Sequence, residues 1–92
     1  MPLEIIHDEK RRRFFVTLEN EECFVSYSKP SENIMDLEHT IVPRILSGRG
    51  IAAELVKNAL DYAEKNNFKI YDSCSYVTAY IKKHPEYKKL VK

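Results

Sequence analysis

The sequence has no tryptophan, and its 92 residues include only two glycines, two cysteines and four prolines. Cys23 and Cys74 lie far apart, so they make no disulfide framework. Free thiols in reducing, cytoplasmic surroundings are expected. No apolar run approaches the ~20 residues of a membrane span. Met1-Pro2-Leu3-Glu4 lacks the layout of a signal peptide. Neither sign of charge dominates. Fifteen Lys and Arg against fourteen Asp and Glu leave +1, too little to attract nucleic acid or an anionic membrane. The basic run Lys10-Arg11-Arg12-Arg13 has no wider basic face around it and reads as a solvated hairpin. His7, His39 and His84 show no ligand spacing with each other or with the cysteines, so no metal site is expected. No repeat, linker or low-complexity tract divides the chain, and one domain over residues 1–92 is expected.

The residues that are present alternate in a way that predicts a fold. Residues 3–7, 12–18, 23–28 and 34–42 are rich in β-branched and aromatic residues and read as four strands. Polar turns at 8–10 and 19–22 and a loop at 29–33 separate them, with Pro30 ending the third strand. Such short connections predict an antiparallel meander. In the fourth strand, Met35, Leu37, His39 and Ile41 fall on one face, and Asp36, Glu38 and Thr40 on the other.

A helix follows over residues 50–66. Ile51, Ala52, Leu55, Val56, Ala59, Leu60 and Ala63 recur at helical spacing and form an apolar stripe. Asp61 and Lys65 form an i,i+4 pair on the wet side, and Asn66-Asn67 suits a left-handed end. Residues 68–71 return as a fifth strand. Strand, helix, strand makes the fourth and fifth strands parallel. A second helix starts near Ser73 or Ser75, and Pro85 ends it or starts a short further turn. The fold class is therefore α/β: a mixed five-stranded sheet with one long helix and one or two short C-terminal helices.

Both glycines fall in one turn, Gly48-Arg49-Gly50, between the fourth strand and the long helix. Glycine permits φ > 0 and close approach of a ligand. The first N–H groups of the helix have no intrahelical partner and, with its dipole, suit an anion such as phosphate. The turn lacks the Gly-Lys-Ser/Thr ending of a P-loop and the third glycine of a dinucleotide-binding fingerprint. By itself it serves equally as a plain tight turn.

The sequence around the turn carries more. His39-Thr40-Ile41-Val42-Pro43, Ser47-Gly48-Arg49-Gly50-Ile51-Ala52 and Leu55-Val56 resemble the acetyl-CoA motif of the GNAT N-acetyltransferase superfamily, Gln/Arg-x-x-Gly-x-Gly/Ala. Ser47 replaces the leading long polar residue. Cys74-Ser75-Tyr76-Val77 and His84-Pro85-Glu86-Tyr87 resemble a short, single-domain subgroup of that superfamily. The resemblance implies that the fourth and fifth strands splay apart and that acetyl-CoA lies in the wedge between them. It assigns the cofactor to Ile41, Val42, Ser47, Gly48, Arg49, Gly50, Ile51, Ala52 and Tyr76. It also implies acetyl transfer to a primary amine by direct attack, with a base, a polarising backbone N–H and an acid.

The candidate groups for that chemistry are Cys74, His39, Glu38 and a tyrosine. Cys74, between polar residues at a helix start, serves as nucleophile, base or substrate contact, or as an inert packed thiol. His39 suits the base, since an imidazole can take the proton of an attacking amine, or is a satisfied core histidine. Glu38, on the opposite face of the same strand, competes for that role. Tyr76 and Tyr80 compete as the acid. The stretch between the first two strands is too short for the helices that usually build the acceptor side in this superfamily. An open site suits a protein tail or another large amine acceptor. The rival reading is a CoA-binding module without turnover, acting as a sensor or interaction domain. A monomer or weak homodimer is expected.

Overall fold

The computed structural model describes residues 3–92. Four strands, β1 (Ile6–Asp8), β2 (Arg13–Leu18), β3 (Glu21–Ser31) and β4 (Ile34–Ile41), pair antiparallel in sequence order. Next come helix α1 (Ile51–Lys65), strand β5 (Lys69–Tyr71), helix α2 (Ser75–Lys83) and a 3-10 turn over Pro85–Leu90. β5 lies beside β4 and parallel to it, so the mixed five-stranded sheet expected from the sequence is present. Val91 adds one parallel bridge to Ile70 on the far side of β5.

α1 forms because its apolar residues share one face. Ile51, Leu55, Val56, Ala59, Leu60 and Ala63 are all buried. They meet Val25, Tyr27, Met35, Leu37 and Ile70, which project from the sheet into the same core. Asn67 ends the helix in the left-handed region, with φ 63. The Phe68 N–H donates to the Ala63 carbonyl at 2.8 Å and the Asn67 N–H to that of Glu64 at 3.3 Å, the paired bonds that close a Schellman end. The charge pairing differs from expectation. Lys57, not Lys65, bonds Asp61 at 3.0 Å, while the Tyr87 hydroxyl donates to the other Asp61 oxygen at 2.6 Å. A tertiary hydroxyl has drawn Asp61 toward the C-terminal turn.

Both crossovers advance in one direction, from β4 to β5 and from β5 to Val91. Right-handed crossovers in one direction place their helices on one face of the sheet. Val77, Tyr80 and Ile81 of α2 accordingly join the core that α1 covers. Among the described residues no helix lies on the opposite face. There Arg13 stacks on the Phe24 ring at 3.9 Å and ion-pairs with Glu22 at 2.8 Å. Arg11 bonds Asp8 and Glu22. Arg11 and Arg13 of the basic run are thus tied into the sheet's own carboxylates.

Two expectations about strands fail for one reason. β3 runs past Pro30 to Ser31, through a register shift between Ser28 and Ser31. An irregularity in the ladder accommodates a residue that donates no hydrogen bond. A second shift lies between Ser26 and Tyr27. Ser26 faces His39 and Tyr27 faces Leu37, which leaves Glu38 unpaired. This bulge reverses the alternation beyond it. Thr40, opposite buried Val25, turns to the helix side. His39, opposite Ser26, and Ile41, opposite Phe24, turn to the open side, where both are exposed. His39 is therefore not a core histidine beside Leu37.

Far from the bulge, His7 stacks on Phe14, with ring centroids 4.1 Å apart, and hydrogen-bonds the Tyr27 hydroxyl. Burial holds the imidazole below its ordinary 6.5, against the pull of Glu9 and Asp8, and pushes the Tyr27 phenol up to about 12. Below pH 6.5 the unfolded chain takes up the histidine proton before the folded one does, so stability falls with pH. From pH 10 to about 12 the unfolded chain loses the phenol proton first, so stability falls as pH rises. Urea midpoints should form a plateau between these limits. His7→Phe should flatten the acid side, and an unchanged acid slope in that variant would assign the loss to other groups.

Candidate active site

Pairing of β5 with β4 stops at Asp36 and Tyr71, while β4 continues to Ile41. The last backbone link across the gap beyond that pairing is the Cys74 N–H, which donates to the Leu37 carbonyl at 2.9 Å. Cys74 is the N-cap of α2, with extended backbone and no side-chain cap. Its Sγ meets the Thr40 Oγ1 at 3.4 Å. The bulge at Glu38 makes that contact possible, because it turns Thr40 to the helix side.

From Ile41 the chain turns at Pro43 into a 3-10 turn, Arg44–Leu46. Fully buried Leu46 anchors it, and the Ser47 hydroxyl donates to the Arg44 carbonyl at 2.8 Å. Gly48 and Gly50 then adopt φ 81 and 78, a region that costs other residues about 1–2 kcal/mol. A Cβ at either glycine would meet nothing within 4 Å, so the space in front of this backbone is clear. Gly50 caps α1 without any side-chain hydrogen bond. The N–H groups of the first turn therefore stay available to a ligand.

Val42, Leu46, Ser47, Gly48, Gly50, Ile51, Ala52 and Tyr76 line one cavity of about 260 Å³. It joins the glycine turn to the first turn of α2. Of the residues assigned to the cofactor from sequence, Ile41 and Arg49 are outside this lining. Ile41 faces the open side. The Arg49 guanidinium donates to a Glu19 carboxylate oxygen at 2.8 Å, in an exposed pair. Leu46 was missed. The signal for it was an apolar residue in a polar loop, one of the two in Ile45-Leu46, of which Ile45 is the exposed one.

The catalytic candidates separate into two groups. Cys74 and Tyr76 lie on the helix side of the gap. Glu38 and His39 lie on the open side, where Glu38 accepts a hydrogen bond from the Ser28 hydroxyl at 3.0 Å. Sequence alternation put these two on opposite faces. The bulge puts both on one. Tyr80 is buried and stacks on His84, with centroids 4.2 Å apart, and burial raises its phenol pKa. It is absent from the glycine-turn cavity, whereas Tyr76 is part of it and 39% exposed. Among the described residues no group of three His, Cys, Asp or Glu is placed to hold a metal. None of the described helices is long and apolar enough to cross a membrane.

Residues 13–90 match the family model described as GCN5-related N-acetyl-transferase. The chain belongs to the GCN5-related N-acetyltransferase family. Protein NATD1 of Gallus gallus is 38% identical over 86 residues, which are 91% of this chain and 78% of that protein. Protein NATD1 of Homo sapiens is 37% identical over 86 residues, covering 91% and 76%. The NMR structure of a GCN5-like protein from Staphylococcus aureus superposes with a TM-score of 0.76 at 28% identity, covering 98% of this chain and 88% of that one. The GNAT resemblance drawn from the glycine turn and the Cys74 and His84 segments thus holds. In GNAT terms, the cavity lies at the junction where β4 passes into α1, between that turn and the start of α2.

Proposed function

We propose that this GNAT protein transfers an acetyl group from acetyl-CoA to a primary amine, with donor and acceptor meeting across the β4–β5 gap. The observation that carries the reading is the cavity formed by the glycine turn, the uncapped start of α1 and Tyr76. Acetyl-CoA supplies an activated thioester and a pyrophosphate. The clear space before Gly48 and Gly50 and the free first-turn N–H groups fit the pyrophosphate. Val42 offers backbone to the pantetheine arm.

Cys74 and Tyr76 share the helix side with that cavity, so they act on the donor. Glu38 and His39 share the open side, so they act on the acceptor. In the first step the Cys74 Sγ attacks the acetyl carbonyl. A bond from Sγ to the acetyl carbon forms, the thioester C–S bond breaks, and the Sγ proton passes through the Tyr76 hydroxyl to the leaving thiolate, so that Tyr76 ends as it began. In the second step the amine attacks that carbon from the open side and the Cys74 thiolate leaves. His39 or Glu38 takes the amine proton and releases it to solvent, from which the Cys74 thiolate regains its own. This order differs from the direct attack expected from the resemblance; what supports it is that Cys74 packs on the helix side while Glu38 and His39 lie on the open side.

The test is calorimetric titration with CoA, followed by turnover on a panel of amines and lysine peptides. Binding with turnover supports the proposal, binding alone makes the chain a CoA-responsive module, and the absence of binding removes both. A further prediction concerns Arg49. The exposed pair with Glu19 is worth little, so releasing Arg49 costs little and gives the phosphates a guanidinium. Glu19→Gln should tighten CoA binding roughly two- to fivefold, under 1 kcal/mol. Unchanged affinity in titration would leave Arg49 with no role at the phosphates.

A further inference from the structure

A second cavity, of about 140 Å³, lies at the other end of α1. Tyr62 of α1 contributes to it, eleven residues and roughly 16 Å of helix beyond Ile51. Its lining is Glu9, Arg12, Tyr27, Lys29, Met35, Tyr62 and Phe68. Fully buried Met35 forms an apolar floor, and the three aromatic rings form walls. Two cations and one carboxylate stand at the rim. Neither Arg12 nor Lys29 has an ion-pair partner within 4 Å among the described residues, although Asp8, Glu19 and Glu22 all hold arginines elsewhere. The Lys29 ammonium rests over the Phe68 ring, 5.0 Å from its centroid.

Arg12 is held there at a cost. Its φ is 54, in the left-handed region that a long side chain seldom adopts. Its N–H reaches the Glu9 carbonyl at 3.3 Å and its carbonyl accepts the Tyr27 N–H at 2.9 Å. The strained turn puts a guanidinium without an ion-pair partner at a rim shared with the Lys29 ammonium and the Glu9 carboxylate, above the Met35 floor and the aromatic walls, and strain of this kind collects at ligand sites. We propose that this cavity is a second ligand site, for a small zwitterion of the size of a free α-amino acid, separate from the β4–β5 gap. The ligand carboxylate meets Arg12 and Lys29, its ammonium meets Glu9, and its aliphatic body covers Tyr62 and Phe68.

The test is a titration of the ¹⁵N-labelled protein, without CoA, using pooled L-amino acids, with acetate, phosphate and methylammonium as single-charge probes. At least one amino acid should shift the amides of Lys29, Met35, Tyr62 and Phe68, and no single-charge probe should match it. Arg12→Gly is the deciding variant. Glycine relieves the positive φ, so this protein should melt at or above the wild-type temperature and yet bind roughly tenfold more weakly or not at all. Lys29→Gln should weaken binding in the same direction. Three results would overturn the proposal: no shifts with any amino acid, equal shifts with acetate or phosphate, or full binding by a folded Arg12→Gly protein. None of these bears on CoA binding.

Discussion

Gly50→Val should fold and lose CoA binding. The substitution acts twice. Gly50 has φ 78, and a β-branched residue is strained there, so about 1–2 kcal/mol of stability should go. Stability of that size leaves a folded majority in a domain of ordinary stability. The second effect is larger. Nothing lies within 4 Å of a Cβ at Gly50, so the valine methyls would stand in the space before the first-turn N–H groups. Affinity should fall by more than roughly tenfold, which is above ~1.4 kcal/mol. Gly50→Asn separates the two effects, because asparagine tolerates positive φ but still fills the space. It should fold better than the valine variant and bind as poorly. Calorimetric titration of both variants is the measurement. Wild-type affinity in a folded Gly50→Val protein would place the phosphates elsewhere.

Cys74→Ala should leave CoA affinity unchanged within about twofold and lower acetyl transfer by at least about 100-fold, the scale of losing a reacting side chain. Binding should survive because the link to β4 is made by the Cys74 backbone N–H, bonded to the Leu37 carbonyl at 2.9 Å, and alanine keeps that group. Wild-type protein incubated with acetyl-CoA and no amine should gain one acetyl group, mapped by peptide mass to Cys74. His39→Ala and Glu38→Gln should still be acetylated at Cys74 but should pass the group on slowly. This split between the half-reactions reads out the two sides of the gap. Full activity in Cys74→Ala together with an unmodified thiol would restore direct attack and leave the open-side pair to serve it.

Local signals made much of this legible in the sequence. The stripe from Ile51 to Ala63 and the Asn66-Asn67 end specify α1 through residues that are neighbours along one helix. A strand, helix, strand order has one common handedness, so the parallel pairing of β4 and β5 followed from chain order. With only two glycines in the chain, their placement in one turn marked the loop where φ turns positive. The failures required knowledge of a partner strand. A bulge consists of one extra residue relative to the neighbour, and the residues 34–42 taken alone alternate as well without it as with it. Glu38, His39 and Thr40 were therefore each assigned to the wrong side or the wrong company. The Arg49 partner was equally hidden, since Glu19 is thirty residues away and sits in a turn whose own φ of 50 aims its carboxylate.

The order of the elements also sets when the gap can come into being. The first four strands pair with their immediate neighbours through short turns, and contacts of that local kind form early and fast. β5 cannot dock until α1 has been made and has carried the chain back across the sheet. The Cys74 link to Leu37 comes later still. The Lys92 N–H, bonded to the Ile70 carbonyl at 3.0 Å, closes the outer side of β5 after that. A chain cut after residue 65 would carry the four meander strands and the glycine turn but only one wall of the gap. Acetyl-CoA bound as proposed would then have nothing to bridge, and any assistance it gives to folding should fall on the final docking step. Amide exchange should report this as two populations, a persistent one in β2 to β4 and a faster one in β5 and α2 that slows on CoA addition.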